Sequence, residues 1–297
     1  MSQLRVEAFF QKSTSTISYL IYDSKTKQAA IIDSALDFDQ ASGQLSTEFA
    51  DQQLAFIKGN QLVLKWIFET HAHADHLSAA YYIKQHEFVD KYKPLIAIGE
   101  NIKSVQQTFS GVFSLSQQEL SGEGVEFDRL LKEGQQLKLG DLNIDIMETP
   151  GHTPDGISYL IDGHIFVGDT LFMPDAGTAR CDFPGGSSQV LFSSIQKIHA
   201  LPDKTKVWLC HDYQPNERQL MYQTTVGESK QHNIHVNQLI GESEFIEMRT
   251  ERDQTLAAPK LLYPSLQVNI KAGQLPPADR YGKVFFKSPV HMSRNFS

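Results

Sequence analysis

The chain has 297 residues, 40% of them hydrophobic, with two cysteines and a formal net charge of −8 at pH 7. That is enough chain for one large core or a domain with an appendage, and the acidic balance without any basic stripe argues against nucleic acid as a partner. No apolar run approaches a membrane span, positions 1–7 carry no signal-peptide pattern, and two cysteines suit a reducing compartment better than a disulfide scaffold, so we expect a cytoplasmic protein.

In chain order, residues 6–10, 17–22 and 28–33 are short β-type runs separated by polar breaks, the pattern of an antiparallel meander. Asp33 ends the third run, and we read it as a turn residue rather than a buttress for a ligand. Residues 39–58 turn helical, with Gly59-Asn60 as the expected C-terminal cap. Residues 62–68 are an apolar, partly β-branched run that predicts a buried strand. It leads into Thr70-His71-Ala72-His73-Ala74-Asp75-His76, and from residue 77 a helix is expected to about residue 88. Three imidazoles and a carboxylate within positions 71–76, on a turn at the end of a strand, are borderline and hard ligands placed where α/β proteins keep their chemistry. This is a metal site.

A short strand is expected at 94–98, and residues 108–134 show no clear period and read as irregular. The runs 137–139 and 142–147 flank Gly140-Asp141, and the runs 157–161 and 164–167 flank Asp162-Gly163; both are hairpin signals. The first hairpin leads into Thr149-Pro150-Gly151-His152-Thr153-Pro154, the second into Gly168-Asp169-Thr170. An amphipathic helix is expected over 187–200. A strand over 206–210 then ends in His211-Asp212-Tyr213. Strand ends at 71, 152, 169 and 211 thus each present His or Asp, a recurrence that packing does not explain. Helices are expected over 226–239 and 242–252. Residues 236–297, punctuated by prolines, read as a C-terminal extension wrapped on a catalytic domain of residues 1–235, either as a lid or as an oligomer contact, which leaves a homodimer open.

The set His71, His73, Asp75, His76, His152, Asp169 and His211 resembles the metallo-β-lactamase superfamily, over about residues 6–215. The resemblance implies an α/β fold, a four-layer αββα sandwich with the C-terminal extension added. Thr149-Pro150-Gly151-His152-Thr153, Gly168-Asp169-Thr170 and Cys210-His211-Asp212-Tyr213 are similar in form to both the sulfur (persulfide) dioxygenases and the glyoxalase II enzymes. Two marks favour the dioxygenases. His211-Asp212-Tyr213 resembles theirs, where glyoxalase II enzymes typically carry Gly-His-Glu-Tyr. Gly177-Thr178-Ala179-Arg180-Cys181-Asp182-Phe183 resembles their Gly-Cys-Gly-Arg-Thr-Asp-Phe segment, with Thr178 in place of its cysteine and Cys181 in place of its threonine.

That resemblance implies one Fe(II) per chain held by His71, His152 and Asp169. The activity implied is oxidation of glutathione persulfide by O₂ to sulfite and thiol, a sulfide-detoxifying reaction. His73, Asp75, His76 and His211 would then surround the ligands. The alternative is a dizinc thioester hydrolase of the glyoxalase II kind, with His71, His73 and His152 on one zinc, Asp75, His76 and His211 on the other, and Asp169 bridging. Asp75 and Tyr213 are assigned as catalytic residues, and Arg180 and Tyr213 as substrate contacts, Arg180 because its planar fork matches a carboxylate. Cys181 and Cys210 are read as packing residues.

Overall fold

The computed structural model describes residues 3–290; the end of the expected extension, 291–297, lies outside the described residues. Two six-stranded sheets form its centre. The first holds Leu4–Gln11 (β1), Thr16–Asp23 (β2), Gln28–Ile32 (β3), Val63–Phe68 (β4), Leu95–Gly99 (β5) and Arg129–Leu131 (β6), side by side in that order. β1 to β3 are the expected antiparallel meander, and β3 to β6 run parallel. The second holds Gln136–Leu139 (β7), Leu142–Glu148 (β8), Ile157–Ile161 (β9), His164–Phe166 (β10), Lys206–Trp208 (β11) and Gln223–Thr225 (β12). Only β10 and β11 are parallel there. Parallel neighbours need a crossover, and helices Glu48–Gly59, Ala80–Gln85, Ile102–Phe113 and Ser188–His199 lie in those connections.

Alternation along the strands builds the layers. On β2, Tyr19 and Ile21 enter the core between the sheets with Phe68, Ile146, Tyr159 and Trp208. Leu20, facing the other way, joins a second core with Ile57, Ile83, Phe109 and Val268 under the outer helices. A third core, with Ile165, Leu191, Ile195, Val207 and Phe245, lies between the second sheet and its helices. Three cores between four layers give the αββα sandwich, and both faces of the central strands are apolar for that reason.

Several boundaries differ from the sequence expectation. The helix expected over 39–58 starts only at Glu48, because Ala35–Asp39 and Gln44–Ser46 pair as strands, joined by Leu77–Ser78. Its end is as expected, with Asn60 as the C-cap; Gln61, just beyond, takes the left-handed conformation (φ 55°), with Leu62 N–H on Ile57 O at 2.9 Å, the Schellman pattern. The helix expected to residue 88 breaks at His86 into Ala80–Gln85 and Glu87–Asp90. The stretch 108–134 is not all irregular. It contains the second half of helix Ile102–Phe113, whose apolar residues Val105, Phe109 and Phe113 recur at helical spacing, and the short strand β6. The helix expected over 226–239 ends at His232, the strand over 206–210 ends at Trp208, and a helix, Leu262–Asn269, forms in the proline-rich stretch.

The central core makes a direct prediction. Phe68 is fully buried, with its ring 4.5 Å from that of Tyr159. Phe68→Ala should destabilise the fold by about 3–5 kcal/mol, and Phe68→Leu by much less. Equal urea midpoints for the two variants would show that this ring does not bridge the sheets.

Candidate metal centre

The seven expected ligand residues, drawn from four separate strand ends, come together at one edge of the sandwich. His71, His152 and Asp169 offer donor atoms that all lie within 4.8 Å of one another. His152 Nε2 is 3.6 Å and His71 Nε2 is 4.0 Å from Asp169 Oδ2. Beside them, His211 Nε2 lies 3.2 Å from Asp75 Oδ2 and 3.3 Å from Asp169 Oδ1. His73, Asp75 and His76 form a further group of the same span.

Local structure fixes which nitrogen each ring presents. His152 Nδ1 donates to Arg180 O at 2.6 Å, and His211 Nδ1 to Ser15 O at 3.2 Å. Thr70 Oγ1 donates to Asp33 Oδ2 at 2.9 Å and so accepts from His71 Nδ1 at 3.1 Å. Each of these rings therefore turns Nε2 toward the centre, as metal-binding histidines do when their other nitrogen is held. His71 Nε2, both ring nitrogens of His73, Asp75 Oδ2, His76 Nε2, Asp169 Oδ1 and His211 Nε2 are buried without a hydrogen-bond partner. Buried polar atoms are normally paired, and a cation is what imidazole nitrogens and carboxylate oxygens converging in this way can share. Burial and the neighbouring imidazoles hold the His71 and His73 rings well below the usual histidine range, which keeps them neutral and able to bind metal. Burial raises the Asp169 carboxyl, but His211, His152 and His71 outweigh it and hold it ionised.

The loop after β4 has little regular structure of its own, so its shape comes from side chains elsewhere. Asp33 is not a simple turn residue. Its backbone is left-handed (φ 52°), and its buried carboxylate accepts from Thr70 N–H at 2.7 Å and lies 3.0 Å from His73 Nε2. Asp155 Oδ2 accepts from Ala72 N–H at 2.8 Å. Asn269, near the far end of the chain, donates from Nδ2 to His73 O and His76 O, each at 2.8 Å. Gly168 must be glycine: its φ is 53°, and a Cβ there would come within 2.4 Å of Thr70 Oγ1. Sequence reasoning weighed Asp33 and set it aside, and it passed over Asp155 and Asn269. The Pro154-Asp155-Gly156 turn was a usable signal for Asp155, whereas Asn269 had none.

Asp75, His152 and Asp169 open onto a cleft of about 1210 Å³. Phe172 and Phe183 lie on its wall, Phe183 edge-on to the His152 ring at 5.1 Å. Tyr213 is 56% exposed there, its ring stacked 5.5 Å from that of His211. Arg180 also lines the cleft, but its fork is closed on Asp182 by two bonds of 2.6 Å, and Nη1 donates to Ala257 O at 2.7 Å. Cys181 and Cys210 are buried free thiols. Burial pushes the Cys181 thiol up to about 12, which leaves it protonated.

The family model for the metallo-beta-lactamase superfamily matches residues 14–211, the span that carries all seven donors. The chain belongs to this superfamily. It is 45% identical to glyoxylase B2 of Dictyostelium discoideum, over 98% of each chain. It is 24% identical to the mitochondrial persulfide dioxygenase ETHE1 of Bos taurus, over 91% of this chain and 89% of that one. The crystal structure of ETHE1 from Myxococcus xanthus superposes with a TM-score of 0.72 and 28% identity, over 91% of this chain and all of that one. The chain thus shares its fold with proteins named for two different chemistries.

Asp33 supplies the test of this geometry. Asp33→Ala should weaken metal binding about 10–100-fold, as loss of a group that orients ligands typically does. Chelator competition on folded protein measures it, and an unchanged affinity would remove Asp33 from the centre.

Proposed function

We propose that the chain is a mononuclear iron persulfide dioxygenase acting on the persulfide of an anionic thiol such as glutathione. The reaction consumes persulfide, O₂ and water and yields sulfite and thiol. The terminal sulfur loses four electrons and O₂ accepts four. What carries this reading is the convergence of His71, His152 and Asp169, since two histidines and one carboxylate with open positions are the ligand set of non-haem iron oxygenases. His73 groups instead with Asp75 and His76, and its Nε2 faces Asp33. Iron(II) held by His71, His152 and Asp169 would supply the redox chemistry with O₂ that inert zinc cannot.

The remaining work falls to this chain's own side chains. His152 and Asp169 sit at the floor of the cleft, and Phe172 and Phe183 keep water from the reacting sulfur. Tyr213 presents its hydroxyl from the cleft wall. Arg180 is committed to Asp182 and Arg249 to Asp253. Arg252 and Lys260, on the same cleft, make no ion pair among the described residues. They are the cations free to receive the carboxylates of the thiol carrier.

A dizinc thioester hydrolase stays in view on one observation: His211 Nε2 lies within 3.3 Å of both Asp75 and Asp169, as a second metal with a bridging carboxylate would require. The two readings part in one assay. Protein purified without added metal should consume O₂ when given glutathione persulfide and release sulfite. Rapid hydrolysis of S-lactoylglutathione with no O₂ uptake would replace the dioxygenase by the hydrolase. Within the first reading, the double variant Arg252→Glu, Lys260→Glu should raise KM for the persulfide about tenfold or more, the worth of one charge-assisted hydrogen bond, with kcat little changed. An unchanged KM would move the carrier's carboxylates elsewhere.

A further inference from the structure

The stretch beyond residue 236 reaches the ligand-bearing segments at two buried points. Asn269 ends helix Leu262–Asn269 and is 4% exposed. Its Nδ2 spends both hydrogens on His73 O and His76 O, and its Oδ1 accepts from Ser78 N–H, all at 2.8 Å. One amide therefore spans the second half of the loop that carries His71, His73, Asp75 and His76. Only an amide can do this, because it offers two donors and an acceptor on one planar group. A carboxylate would turn a charge toward two carbonyls, and an alanine would leave three buried backbone groups unpaired.

The second point is Asp253, the last residue of helix Glu242–Asp253. Its Oδ2 accepts from Cys181 N–H at 2.8 Å, while its Oδ1 pairs with Arg249 Nη2. Arg249, 1% exposed, donates from Nη1 to Thr178 O at 3.2 Å. Between these two anchored residues lies Arg180, whose carbonyl accepts from His152 Nδ1. The backbone that selects the His152 tautomer is thus itself held by an ion pair from the C-terminal stretch.

We infer that Asn269 is a positioning residue of the metal centre acting on the loop of His73 and His76, and that the Arg249–Asp253 pair is a second one acting through the Arg180 carbonyl on His152. The C-terminal stretch then forms the outer support of the centre, beyond its place on the cleft wall. The inference needs a metal bound at these donors but does not depend on whether the metal is iron or zinc, so it survives failure of the dioxygenase reading.

The test uses the full chain. Asn269→Asp, Asn269→Ala and Asp253→Asn are each compared with the unaltered protein for resistance to a metal chelator, for the visible absorption of the Co(II)-loaded form, and for the urea midpoint of the metal-free form. The Asn269 variants should lose metal affinity about 10–100-fold and shift the Co(II) bands, with Asp no better than Ala because both lack the two donors. Asp253→Asn should shift the Co(II) bands through a reoriented His152. Unaltered affinity and Co(II) bands, whatever happens to the urea midpoint, would reduce these residues to ordinary fold contacts. If Asn269→Ala does not fold, the near-isosteric Asp variant decides; if neither folds, the contact is structural and the positioning role is withdrawn.

Discussion

The structure depends on holding several buried nitrogen and oxygen atoms close together without letting them pair off. Each buried polar atom left unpaired costs on the order of 1–3 kcal/mol, and seven such atoms, two from His73 and one each from His71, Asp75, His76, Asp169 and His211, gather at the metal centre. The loop after β4 has too little regular structure to sustain that arrangement alone. It persists because the outward-facing nitrogens and the loop's backbone are committed to Thr70, Asp33, Asp155, Ser15, Arg180 and Asn269. A site preorganised in this way leaves its remaining donors to a cation.

The sandwich supplies those commitments from a distance. Asp33 ends β3, beside β4, and Asp155 lies between β8 and β9 of the other sheet. The same loop is therefore gripped from both sheets, while Asn269 comes from the outer helical layer. The C-terminal stretch serves the cleft as well, since Arg252 and Lys260 on its wall belong to it. The ligand-bearing loop and two cations of the cleft wall thus rest on one segment.

The parts of this arrangement carried by local pattern were legible in the sequence. The meander, both hairpins, the helix over 187–200 and all seven convergent donors follow from periodicity, turn residues and strand-end position. What was not legible depends on tertiary partners. Asp33 at a strand end looks like any turn residue, and only the opposing Thr70 and His73 reveal its role. Residues 39–47 continue a helix-like pattern, and the pairing of Gln44–Ser46 with Ala35–Asp39 overrides it. Arg180 has the chemistry to hold a carboxylate, but Asp182, two positions away, already occupies its fork. Asn269 is an ordinary residue in a segment without period, and its partners lie more than 190 positions earlier.

The central claim is that His71, His152 and Asp169 hold one iron while His76 supports them without binding it. Elemental analysis of folded His152→Ala and His76→Ala, each prepared without added metal, tests this most directly. The account predicts that His152→Ala loses its iron and that His76→Ala keeps about one per chain, as a supporting group does. Two zinc ions in the unaltered protein, one of them lost in His76→Ala, would contradict it.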